Sequence, residues 1–246
     1  MDKALYLSMT GASQTMRAQA IHANNMANAS TTGFRADLAQ ARSMQVYGAG
    51  MPSRVYSMTE NPGTDFTHGS LQQTGNSLDV AVNGEGWIAV QADDGSEAYT
   101  RAGNLKIGVF GELMAGNGLP VLGNAGPVVL PQYESLEIGQ DGTISVRELG
   151  QAADVTANID RIKLVSPTDA ELIKGADGLM RRRDGTDMLP DAAVQLISGY
   201  LENSNVNVVD AMVEMIGMTR NYEMNVKFMQ TIQENSEASA RLLQIQ

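Results

Sequence analysis

Few residues in this 246-residue chain have the types and spacing that chemistry demands. Its two histidines, His22 and His68, are far apart, and neither has a nucleophile or metal ligands at a workable spacing. Both read as incidental. Cysteine is absent, which excludes disulfides, thiolate metal sites and thiol nucleophiles. Asn83-Gly-Glu-Gly86 and Gly116-Asn-Gly118 carry the glycines of a phosphate loop. Neither runs on into a helix through Gly-x-x-Gly or Gly-Lys-Ser/Thr, so both read as hairpin turns. Asp141 and Asp184 each precede a turn glycine without the spaced oxygen ligands of a calcium loop. Asn28-Ala29-Ser30 fits a glycosylation sequon, a pattern short enough to arise by chance. No catalytic residue, cofactor, metal or small-molecule substrate is expected.

Seventeen basic residues stand against 28 acidic ones, a formal charge of −11, which argues against nucleic acid as a partner. The one basic run, Arg181-Arg182-Arg183, is flanked by Asp177 and Asp184 and reads as a solvated strand or turn edge. No stretch approaches the roughly 20 apolar residues that cross a bilayer. The first thirty residues hold no apolar run longer than Ala4-Leu5-Tyr6-Leu7, so the expectation is export, if any, without a cleaved signal peptide.

With so little chemistry to position, the elements themselves carry the interest. Residues 2–29 contain one glycine and no proline, and Leu5, Met9, Ala12, Met16, Ala20, Ala23 and Ala27 recur in steps of three or four. That spacing predicts a helix about 42 Å long, with small residues suited to close approach of a neighbouring helix. Residues 208–245 mirror it, with Gly217 as the only glycine. Val209, Met212, Ile216, Thr219, Val226, Met229 and Leu243 fall largely on a heptad-like seam. Asn207 is placed to cap this second helix, with Asp210 three residues on.

Between the helices the pattern changes. Ser77–Val82 alternates with period two, Asn83–Gly86 turns, and Trp87–Gln91 follows as a strand. Turn signals at Gly103-Asn104, Gly116–Gly118, Gln140–Gly142 and Asp184-Gly185 separate further short β-rich runs. The fold class expected is α+β with a mainly β core: long terminal helices packing as a coiled-coil-like element, and a central all-β domain. The expected divisions are 1–37 for the first helix and its signature, 38–74 for an irregular connector, 75–198 for the β domain and 199–246 for the last helix. Helices with seams this thin are not stable alone. They imply packing against copies or relatives in an oligomer, with the ends folding on assembly. A β-domain module binding a sugar or peptide on a helical stalk is the competing reading.

Three motifs resemble those of one family. Asn24-Asn-Met-Ala-Asn-Ala-Ser-Thr-Thr-Gly-Phe-Arg35 is similar to the N-terminal signature of the bacterial flagellar rod and hook proteins. Gly199-Tyr-Leu-Glu-Asn-Ser-Asn-Val-Asn-Val-Val-Asp210, continued by Met215–Lys227, resembles their C-terminal motif. Tyr99-Thr-Arg-Ala-Gly103 and Gly111-Glu-Leu113 resemble a strand pattern of the same proteins, with Asn104-Leu105 standing where the family usually has Phe. Short length and Leu78–Val82 leading into Gly86–Val90 resemble the proximal-rod branch, another rod or hook subunit being the alternative.

The resemblance implies a structural subunit of the flagellar basal body, exported unfolded through the flagellum's type III apparatus and polymerised helically in the periplasmic rod. The partners it implies are the chain itself, other rod proteins, the export apparatus and a surrounding ring. On the first helix and its signature, the assembly interface expected comprises Leu5, Met9, Ala12, Met16, Ala23, Asn24, Asn28, Gly33, Phe34 and Arg35. On the C-terminal side it comprises Asn205, Val206, Asn207, Val209, Met212, Ile216, Thr219, Val226, Met229 and Leu243. The paired asparagines are expected to hydrogen-bond main chain or a neighbouring subunit, and Phe34 to act as an apolar peg.

Overall fold

A computed structural model describes residues 3–45, 55–60, 63–150 and 156–243. The chain divides into two compact units, one of residues 1–28, 37–65 and 206–246 and one of residues 29–36 and 66–205.

The first unit holds α1 (Lys3–Ala27), β1 (Gln40–Gln45), β2 (Val55–Glu60) and α2 (Val208–Leu243). Within α1, hydroxyls that would otherwise compete with the backbone bond back to the carbonyl four residues earlier: Ser8 to Ala4 at 3.0 Å and Thr15 to Gly11 at 2.9 Å. α2 starts where Asn207 Oδ1 accepts from the Val209 amide at 3.1 Å. The Asn207 amide nitrogen donates to Asp210 at 2.6 Å, so the expected cap forms with the two side chains bonded to each other. The two helices pack antiparallel: Gly11 lies against Asn225, His22 meets Glu214 and Gln19 reaches Thr219.

β1 and β2 form an antiparallel hairpin, with Gln40 opposite Glu60 and Gln45 opposite Val55. This corrects the expectation of an irregular connector over 38–74. β1 is exposed along its whole length, so its sequence carries no alternation to read. Cross-strand bonding and the grip of α1 on β2 define it, with Gln14 Oε1 accepting from the Thr59 amide at 2.8 Å and the Gln14 carbonyl accepting from the Thr59 hydroxyl at 3.1 Å.

The second unit is built of strands: β3 (Leu71–Gln73), β4 (Val80–Asn83), β5 (Trp87–Gln91), β6 (Glu97–Thr100), β7 (Lys106–Ile107), β8 (Leu113–Met114), β9 (Tyr133–Ile138), β10 (Thr143–Glu148), β11 (Ala157–Arg161), β12 (Leu164–Val165), β13 (Leu172–Lys174), β14 (Met180–Arg182), β15 (Gln195–Ser198) and β16 (Tyr200–Glu202). A five-stranded sheet runs β12-β5-β6-β14-β13 and a three-stranded one β11-β10-β9. β4 pairs with β15, β3 with β16 and β7 with β8, and every pairing is antiparallel. Asn83–Gly86 therefore joins strands of different sheets instead of closing a hairpin. β5 shows why: it is buried on both faces, Ile88 and Val90 in the larger core with Leu113, Ile144 and Leu164, Trp87 and Ala89 in a second core with Tyr99 and Met180. The α+β class, mainly β with the two terminal helices packed together, is the one expected.

Candidate assembly interface

Two features stand out, one in each unit. The first is the face of α2 turned away from α1. Ala211, Met215, Met218, Tyr222, Val226, Met229 and Ile232 recur at three- and four-residue steps and, with Asn225, are the buried or half-buried positions of α2. Val209, Met212, Val213, Ile216, Met224 and Phe228 make a second apolar stripe and are all more than half exposed. A helix apolar on two faces with one partner has a face left over. α2 also outruns α1, with 36 residues against 25, and Gln233–Leu242 are exposed without interruption.

This revises the expected seam. Val209, Met212 and Ile216 lie on the outer stripe, while Val226 and Met229 are half-buried and Thr219 accepts from Gln19 at 3.2 Å. One heptad line had merged two faces. On α1, Ala12 is buried and Leu5 half-buried, whereas Met9, Met16, Ala23 and Asn24 are exposed. Leu243 ends α2, and its side chain falls outside the described residues. Val213, Met224 and Phe228 were missed, although their four-residue spacing from Val209 and Arg220 was readable.

The second feature is a clasp between the 29–36 signature and the β unit. Gly33 turns with φ +68, and a Cβ there would stand 2.3 Å from the Arg101 carbonyl carbon. Only glycine fits this approach. The Gly33 amide donates to the Glu202 carbonyl at 2.8 Å, and Thr32 donates to Asn104 at 3.0 Å, which gives the Asn104 departure from the family pattern a local partner. Arg35 and Arg101 meet Glu202 at 2.7 and 2.9 Å, the three side chains being between 1% and 3% exposed. Both guanidiniums lie over Trp87, at 5.8 and 5.4 Å from its ring centroid. Arg35 also donates to the Thr67 carbonyl, and Arg101 to the Gly84 carbonyl at 2.7 Å. Phe34 is half-buried with Lys174 Nζ 4.1 Å above its ring, and that ammonium donates to the Arg35 carbonyl at 2.7 Å.

The asparagines serve the main chain. Asn205 Oδ1 accepts from the Ala36 amide at 2.8 Å while its amide nitrogen donates to the Thr67 carbonyl at 3.1 Å. In the first unit, Asn25 exchanges two bonds with the Asp37 backbone, at 2.8 and 2.9 Å, and Asn28 donates to the Asn24 carbonyl at 2.9 Å. Of the residues expected at an intersubunit surface, Arg35 is buried inside its own unit, Gly33 is fixed against Arg101, and Val206 is half-buried. Arg101 and Glu202 stood inside the quoted motifs without being singled out. A charged residue embedded in a strand motif was the signal available.

Three family models match in chain order. They are described as a flagella basal body rod protein over residues 5–35, the D1 domain of the flagellar hook protein FlgE/F/G over 81–146, and the C-terminal part of the flagellar basal body rod FlgEFG protein over 197–242. The chain is 41% identical over 249 residues to flagellar basal-body rod protein FlgF of Escherichia coli (strain K12), covering 99% of each. It is 40% identical to FlgF of Salmonella typhimurium, again over 99% of each, and 31% identical to FlgF of Buchnera aphidicola subsp. Schizaphis graminum over 100% of this chain and 99% of the relative. Paired terminal helices around a β middle, with these motifs in this order, define the class as a structural axial subunit. The chain belongs to the flagellar basal-body rod protein family, and its full-length likeness is to the members named FlgF.

Proposed function

We propose that this chain is a subunit of the proximal part of the flagellar rod in the periplasm, polymerising helically with itself and other rod proteins into a drive shaft and export channel. The observation that carries the reading is the outer stripe of α2, apolar and exposed on a helix already paired with α1. Exposed apolar side chains gathered on one face of a helix are characteristic of interfaces. Methionines at Met212 and Met224 suit neighbours of slightly different shape. The exposed α2 end from Gln233 onward gives a second copy a helix to lie against. Of the residues expected at the interface, we keep Met9, Met16, Val209, Met212 and Ile216, and add Val213, Met224 and Phe228. Catalysis is not part of the role. Delivery of the unfolded chain by the flagellar export apparatus fits subunits whose helices gain a further partner on assembly.

We assign further contacts to the β unit. Its β7–β8 tip carries Val109 and Phe110, 98% and 82% exposed, beside an open groove of about 450 Å³ lined by Leu130, Tyr133 and Leu149. This is the surface we assign to lateral neighbours or a surrounding ring.

The double substitution M212D/I216D in the full chain tests the reading. Surface positions of this kind cost little stability, so the β unit should unfold at the wild-type denaturant concentration. Motility and the yield of isolated rods should fall to background. Wild-type swimming with the variant incorporated into rods would overturn the assignment.

A further inference from the structure

His68 lies where the two buried guanidiniums of the clasp converge. Its Nδ1 is 3.2 Å from Arg35 Nη2 and 3.2 Å from Arg101 Nη1. A guanidinium only donates, so a bond to Nδ1 from either arginine uses the single lone pair of that nitrogen, which requires the ring proton on Nε2 and a neutral imidazole. We propose that His68 is a proton-operated pin, which in its neutral form holds Arg35 and Arg101 on Glu202 and on protonation frees the 29–36 segment from the β unit.

The surroundings leave a proton at Nδ1 nowhere to go. Glu202 Oε1 already accepts from Arg35 at 2.7 Å and from the Gly69 amide at 3.1 Å, and Oε2 accepts from Arg101 at 2.9 Å. His68 Nδ1 stands 3.9 Å from that carboxylate, beyond hydrogen-bond reach. Protonation would remove the acceptor that both guanidiniums face and set a third cation beside two. Burial first, then Arg101 and Arg35, lower the affinity of His68 for a proton below the usual 6.5, outweighing the opposing pull of Glu202 and Glu85. The ring is 48% exposed while Arg35, Arg101 and Glu202 are not, so His68 is the member that protons reach.

The sign follows from linkage. With the folded-state affinity lowered, the clasp is intact above the unfolded value of 6.5 and weakens as pH falls through the lowered one. Arg35 belongs to the segment it anchors, so losing its grip on Glu202 releases the main chain from Gly33 to Ala36.

Hydrogen exchange on the full chain reads this directly. The Gly33, Gly69 and Ala36 amides donate to the Glu202 carbonyl, Glu202 Oε1 and Asn205 Oδ1. Corrected for intrinsic rates, their protection should fall as the pH is lowered from about 7.5 through the unfolded value of 6.5, while Ile88 and Val90 stay constant. H68N puts an acceptor that cannot be protonated near the Nδ1 position and should abolish the fall. Nitrogen-15 shifts of the wild-type imidazole, assigned with H22Q, should show the Nε2–H tautomer at neutral pH, whether or not H68N folds. A flat wild-type profile, the same slope in H68N, or an Nδ1–H ring at neutral pH would each overturn the proposal.

Discussion

Asn225 of α2 rests directly on Gly11 of α1: a Cβ added to the glycine would stand 3.1 Å from Asn225 Oδ1. The helices are this close because Gly11 has no side chain. In G11A the helix-propensity gain, up to about 1 kcal/mol, is set against a tight but yielding contact, and stability should barely change. G11L makes a similar propensity gain but drives a branched side chain into the contact with Asn225. It should cost about 1–3 kcal/mol, read as a lower urea midpoint by far-ultraviolet circular dichroism, with weakened motility.

Asn25 binds both main-chain groups of Asp37, giving from its amide nitrogen and accepting at its oxygen. An aspartate there is nearly isosteric but turns a carboxylate oxygen toward the Asp37 carbonyl. N25D should therefore be worse than N25A, each losing about 1–3 kcal/mol, by urea unfolding of the two variants side by side. Equal loss would show that only packing at residue 25 matters.

Buried and exposed ion pairs should differ sharply. E202A strands two arginines in the β unit and should cost about 3–5 kcal/mol. E60A removes the exposed partner of Arg42, a pair at 2.8 Å, and should cost no more than about 1 kcal/mol. Denaturant melts followed by Trp87 fluorescence for the first, and by circular dichroism for the second, measure the contrast.

Acid sensitivity should be tunable at a hairpin turn. The Thr143 hydroxyl and amide both donate to Asp141, at 2.7 and 3.1 Å, and hold its carboxyl below the usual 3.8. The stability this gives is complete above 3.8 and is lost as pH falls through the lowered value. D141N keeps the amide acceptor and cannot titrate. It should unfold much like wild type at neutral pH and lose less stability between about pH 4 and 2.

What was legible in the sequence was what repeats or caps. The α1 spacing, the Asn207 cap and the Gly-marked turns leave local signatures. The β1–β2 hairpin leaves little, because β1 is exposed on both faces and has no reason to alternate. The two faces of α2 merged into one seam since methionine and valine occur on both, and only the position of α1 separates them. The clasp was half visible. Its residues sit in three motifs far apart in the chain, and their convergence on Trp87 is a product of strand pairing. The charge of Arg101 just after β6, and of Glu202 at the end of β16, was the one local hint.

The clasp has a mechanical consequence. Chain enters the β unit at 29–36 and leaves it at 202–205, and these two strands of backbone are bonded side by side through Gly33, Glu202, Ala36 and Asn205. A pull on the two ends of the chain is taken up there, in shear across a few short bonds and one buried ion triad. The chain looped out between Ala36 and Glu202, the β1–β2 hairpin of the first unit included, is bypassed, as a closed shackle relieves the rope behind it.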